Sequence, residues 1–91
     1  MSNATSPAAP DHAAEITRAD NAIRLLIASF AALRGIVANL NTIAVTPGED
    51  ERVAQAGFVN AAAALECVEI LIRRETARRD AAELAQRAAA E

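Results

Sequence analysis

The chain has 91 residues, enough for a single domain with a thin core. Apolar residues make up 53% of it and aromatics only 2%; Tyr and Trp are absent and alanine dominates the apolar share, so a β fold is excluded and helix is favoured. The net charge is −3, every Lys/Arg position is Arg, and the single cysteine excludes an internal disulfide. An Ala- and Arg-rich chain without Lys suits a GC-rich bacterial or phage genome, and a lone thiol suits a reducing, cytoplasmic setting.

Residues 1–10 are Ser, Thr, Asn, Ala and Pro after the initial Met and read as a disordered leader. They lack a basic segment followed by an apolar one, so no secretory signal is expected. A single helical-hairpin domain is expected over 11–88. Asp11 suits the N-cap of a first helix over about 11–41, with Glu15 favouring the dipole. Ile16, Ile23, Phe30 and Val37 recur every seven residues, as do Ala19, Leu26, Leu33 and Leu40, and together they form one continuous stripe. The pattern fades at Asn39, Asn41 and Thr42, which suit a helix end. Thr46-Pro47-Gly48-Glu49 has the form of a capping box with Pro at the first helical position, which predicts a second helix over about 47–88. That helix carries Phe58, Leu65 and Ile72 every seven residues, with Ala61 and Val68 between them. Past Ile72 it becomes charged, and Glu69–Arg73, Glu75–Arg79 and Glu83–Arg87 have the favourable i,i+4 order.

The short link predicts antiparallel neighbours: an all-α, antiparallel two-helix hairpin. If residue numbers across the seam sum to about 88, Phe30 meets Phe58, Ile23 meets Leu65 and Ile16 meets Ile72, and everything after Arg79 overhangs. Leu25 and Ile36 on the first helix, and Val59 and Ile70 on the second, point away from this stripe. Ala28, Ala31, Ala32, Gly35 and Ala38 add a small-residue face. Two helices cannot hide all of this, so dimerisation to a four-helix bundle, or a dedicated protein partner, is expected through Leu25, Ile36, Val59 and Ile70.

Residues able to carry chemistry are few. Cys67 would lie opposite about Asn21, far from His12, so no nucleophile and base meet, and Cys67 is expected to be a buried structural thiol with His12 solvated. No set of side chains has metal-ligand spacing, and Glu66 with Glu69 reads as a solvated face, so no metal, cofactor or small-molecule substrate is expected and the chain is not expected to be an enzyme. Arg73, Arg74, Arg78 and Arg79 form the one basic cluster. Glu75, Asp80 and Glu83 interleave with it and no aromatic is available to stack on bases, which makes nucleic acid the lesser of two partner classes. Leu25–Val45 is long enough to span a bilayer, but Arg34 sits near its middle and the second helix carries Glu66 and Glu69, so no transmembrane segment is expected. The function expected is a small regulator, inhibitor or assembly subunit that acts by helix packing. The alternative is a nucleic-acid-associated helical protein using the Arg73–Arg79 patch.

Overall fold

Asp11 caps the first helix, its carboxylate accepting from the backbone N–H of Ala14 at 3.0 Å, and Glu15 adds negative charge in the first turn. A computed structural model describes residues 11–91; the expectation for the leader, residues 1–10, lies outside the described residues. Helix α1 spans His12–Ala44 and helix α2 spans Glu51–Ala90, and the two pack against each other as an all-helical hairpin.

Helix α1 does not stop at Asn41. The Thr42 hydroxyl donates back to the carbonyl of Ala38 at 3.1 Å, so this residue is satisfied within the helix, which continues to Ala44. The expected capping box does not form. The Thr46 hydroxyl donates to the carbonyl of Thr42 at 2.6 Å, closing the end of α1 instead of starting α2. Helix α2 begins at Glu51 behind Asp50, whose side chain makes no capping bond. Thr-x-x-Glu places a hydroxyl near two helix ends at once, and here the orphan carbonyls of α1 take it.

The seam is the predicted stripe. Ile16, Ala19, Ile23, Leu26, Phe30, Val37 and Leu40 of α1 are all buried or half-buried, as are Phe58, Ala61, Leu65, Val68 and Ile72 of α2. The pairing across it is not the predicted one. Leu40 lies against Gly57, Gln55 donates to the carbonyl of Ala44, and Arg79 donates to Asp20, so residue numbers across the seam sum to about 98 rather than 88. The slip is roughly ten residues, or about 15 Å along α2. Phe30 therefore lies level with Val68, and Phe58 with Leu40. A seven-residue repeat on both helices matches itself at many offsets, so the three agreeing layers of the sequence reading are one coincidence counted three times. The later turn selects among them.

The expected overhang after Arg79 disappears with the same correction. Ala82 is buried, and His12 and Glu15 share a cleft with Ala82 and Ala85. Arg79 ties this end together. Its Nε donates to Asp20 across the seam and its Nη1 to Glu83, both at 2.6 Å, and Arg87 donates to the other oxygen of Glu83. Of the expected i,i+4 pairs, Glu83–Arg87 forms. Glu75 pairs instead with Arg78 at 2.8 Å, and Arg79 turns to the other helix.

The seam is narrow. The buried residues are Ala19, Ala44, Ala54 and Ala82, at 4–8% exposure, and among the described residues no large side chain is fully buried. The molecule measures 70 × 30 × 14 Å, one helix thick, and its radius of gyration of 20.6 Å far exceeds the roughly 12 Å of a compact domain of this length.

Two predictions follow from this register. Ala82→Leu forces volume into the closed end of the seam and should cost about 1–3 kcal/mol in urea denaturation, whereas Ala81→Leu on the exposed neighbour should be near neutral. Equal effects would restore the shorter pairing, in which Ala82 overhangs. The second concerns acid. The hydrogen bond from Arg79, then the charges of Arg79 and Arg87, hold the Glu83 carboxyl below its ordinary value. Because the folded value is the lower one, this contribution is complete above the ordinary Glu range and is lost as pH falls through the folded value. Glu83 is solvent-accessible, so the effect is small and screened by salt. Acid titration of melting temperature at low salt should show a steeper loss for the parent chain than for Glu83→Gln.

Candidate interaction face

The two sides of the hairpin differ in chemistry. With 3.6 residues per turn and the seam as reference, each helix has one flank on either side of the molecule, and antiparallel packing decides which flanks share a side. One side carries Asp20, Arg24, Ile27 and Arg34 of α1 beside Gln55, Val59, Glu66, Glu69, Arg73 and Glu83 of α2. It mixes charges of both signs with the exposed apolar Ile27 and Val59. Arg34 lies over the ring of Phe30 at 5.9 Å, so its guanidinium shields part of the seam from this side.

The other side carries Ala22, Leu25, Ser29, Ala32, Ile36, Asn39 and Ile43 of α1 beside Val53, Gly57, Asn60, Ala64, Cys67 and Leu71 of α2. Between Ala22 and Ile43, and between Val53 and Leu71, this side has no charged residue. Leu25 is 71% exposed and Val53 74%, and Ile36, Ile43 and Leu71 are exposed as well. The Ser29 hydroxyl donates to the carbonyl of Leu25 at 3.0 Å, which leaves the surface around it effectively apolar. Charge returns only at the two ends. Glu49 and Asp50 stand at the turn, sharing a shallow cleft with Ile43, and Arg18, Arg74 and Arg78 stand toward the termini.

The four anchors read from the sequence are all exposed, but they do not share one face. Leu25 and Ile36 lie on the uncharged side, Val59 on the charged side, and Ile70 on the back of α2. Ile43, Val53 and Leu71, which complete the uncharged side, were not legible from either helix alone. Their common feature is the side on which antiparallel packing places them.

Cys67 is exposed, contrary to the expected buried thiol. A lone partner helix covers only the stripe, and Cys67 lies off it, level with about Ala31 in the observed register, which takes it further still from His12. His12 is half-buried rather than solvated, and its Nδ1 is shielded without a hydrogen-bond partner.

The arginine cluster is dispersed. Successive helical residues are about 100° apart. Arg73 therefore faces the charged side, Arg74 and Arg78 the other, and Arg79 the seam. Arg78 is paired with Glu75, and Arg79 with Asp20 and Glu83. The cleft near the termini, about 410 Å³, mixes Arg18 and Arg78 with Glu15 and Glu75, so its wall charges offset one another. Among the described residues no three His, Cys, Asp or Glu side chains come together as metal ligands.

Both helices contain an 18-residue stretch apolar enough to cross a membrane by length and composition, with mean hydropathy 1.6 in His12–Ala44 and 1.4 in Glu51–Ala90. No residue of either stretch is fully buried within the hairpin, although those in the seam are half-buried.

No protein-family model matches this chain, no curated protein matches it, and no solved structure matches it.

Proposed function

We propose that the chain is a small helical protein–protein interaction module, a regulator, inhibitor or assembly subunit of a bacterium or phage, that acts in the cytoplasm by helix packing. In this reading the hairpin is half of a four-helix bundle completed by dimerisation, and no catalysis, metal or cofactor is involved. One observation carries it: the uncharged side, where Leu25, Ile36, Ile43, Val53 and Leu71 stand exposed with no charged residue between them, while the opposite side carries charges of both signs. Exposed apolar side chains on this side, with no large side chain fully buried among the described residues, support the reading of a surface for another protein. Packing a second helical pair on it repeats the geometry of the seam, side chains of one pair entering the gaps of the other.

The apolar stretches also support a second reading, a hairpin whose turn-side half inserts into a bilayer. Arg34 on α1, and Arg52, Glu66 and Glu69 on α2, lie within that half and oppose insertion. The nucleic-acid alternative rests on Arg73 and Arg74, since Arg78 and Arg79 are engaged by carboxylates.

The test is a pair of double variants followed by light scattering after size exclusion. Ile36→Arg with Leu71→Arg should abolish self-association or partner capture while circular dichroism remains helical. Val59→Arg with Ile27→Arg, on the charged side, should change neither. The reading is lost if the two pairs behave alike. Flotation with neutral vesicles separates the membrane reading, which predicts that the parent chain floats.

A further inference from the structure

The uncharged side has polarity along its length. From the turn to the termini it runs from the carboxylates of Glu49 and Asp50, through a span that carries no charge, to the guanidinium of Arg74, beyond which Arg78 and Arg18 stand with Glu75 and Glu15. We infer that the occupant of this face is a second copy of the chain, laid antiparallel, so that the acidic turn of each copy meets the arginines of the other at both ends of the contact. The inference rests on the proposed reading, in which the hairpin dimerises through this face, and adds the orientation of the two copies.

Two features favour a second copy. The first is charge. With a two-fold axis lying in the plane of contact, perpendicular to the helices and near the middle of the face, the turn of one copy overlies the stretch around Arg74 of the other, and the contact is self-complementary as a two-fold interface must be. Arg74 has no ion pair among the described residues, and Glu49 and Asp50 likewise make none, so these groups are available. Arg78 is held by Glu75, and Glu15 lies just beyond, which leaves Arg74 as the main contact. A parallel arrangement, turn against turn, would place Glu49 and Asp50 beside their own copies and Arg74 beside Arg74, and like charges would meet at both ends. The second is area. The uncharged span is roughly 30 Å long and two helix widths, or about 20 Å, across. Covering it on both copies removes roughly 1,200–1,600 Å² from water, the size of a stable specific interface.

Association should therefore weaken with salt as well as with apolar-face substitution. Arg74→Glu should raise the dimer dissociation constant by about tenfold at low salt, and so should Asp50→Lys. The combined Asp50→Lys, Arg74→Glu chain should return to within about threefold of the parent, because swapping both signs restores both ends. Orientation is read separately. In a Cys67→Ser background, a nitroxide at Gly48→Cys sits on the turn, where an added side chain meets nothing within 4 Å. Dipolar spectroscopy should give a separation of roughly 30–40 Å between copies, against under about 20 Å for a parallel pair. A dimer with the short distance, or without rescue by the double swap, overturns the antiparallel inference and leaves the interaction face standing. A chain that stays monomeric at millimolar concentration, with no dipolar modulation, overturns the second copy itself, and a partner captured through Ile36 and Leu71 would then preserve the face alone.

Discussion

A helix that packs against a single partner can bury only a narrow stripe, and that limit governs everything else about this molecule. Two helices of 33 and 40 residues share one seam, and the side chains that leave water completely enough to count as buried are four alanines. Leu33, Phe30, Phe58 and Leu65 lie in the seam yet keep part of their surface in solvent. Burial at about 25 cal/mol per Å² of apolar area needs area to be removed, and a body 14 Å thick removes little. The hairpin thus buries little of its own apolar surface, and the large apolar residues that the seam does not cover stay exposed.

How those residues are distributed turns a deficit into a direction. Random scatter around both helices would make a generally adhesive rod. Here Arg24, Arg34, Glu66, Glu69 and Arg73 fall on one side, and the opposite side is left without charge from Ala22 to Ile43 and from Val53 to Leu71. The ion-pair cluster of Arg79, Asp20, Glu83 and Arg87 closes the terminal end, where the fully buried seam residues are alanines. Such pairs stabilise little at the surface. The Arg79–Asp20 bond also joins the two helices across the seam in the observed register.

The turn does more than connect. Thr46 was available to start α2 but instead ends α1, and the helix gains Thr42, Ile43 and Ala44 beyond the predicted boundary. Moving the turn toward the C-terminus moves every facing pair, brings Ala82 into contact with the start of α1, and carries Cys67 away from His12. Ile43 then comes to stand beside Val53 at the turn end of the uncharged side.

The sequence by itself determined the class of structure: helix from alanine and the missing strand formers, the first cap from Asp11, and the identity of the seam from two seven-residue stripes. Each of these depends on residues near one another in the chain, where spacing and propensity are decisive. It also showed that apolar surface exceeds what a hairpin can cover. Only the tertiary structure decided the register, because two interleaved seven-residue series match at offsets of seven and, one series against the other, of three or four, and the position of the turn breaks the tie. The composition of each face was likewise settled there, because a helix alone has flanks but no sides. Leu25 with Ile36 and Val59 with Ile70 look equivalent on a helical wheel. Antiparallel packing assigns the first pair to the uncharged side beside Val53 and Leu71, and separates Val59 and Ile70 from them, by the handedness of the helix and the direction of the chain.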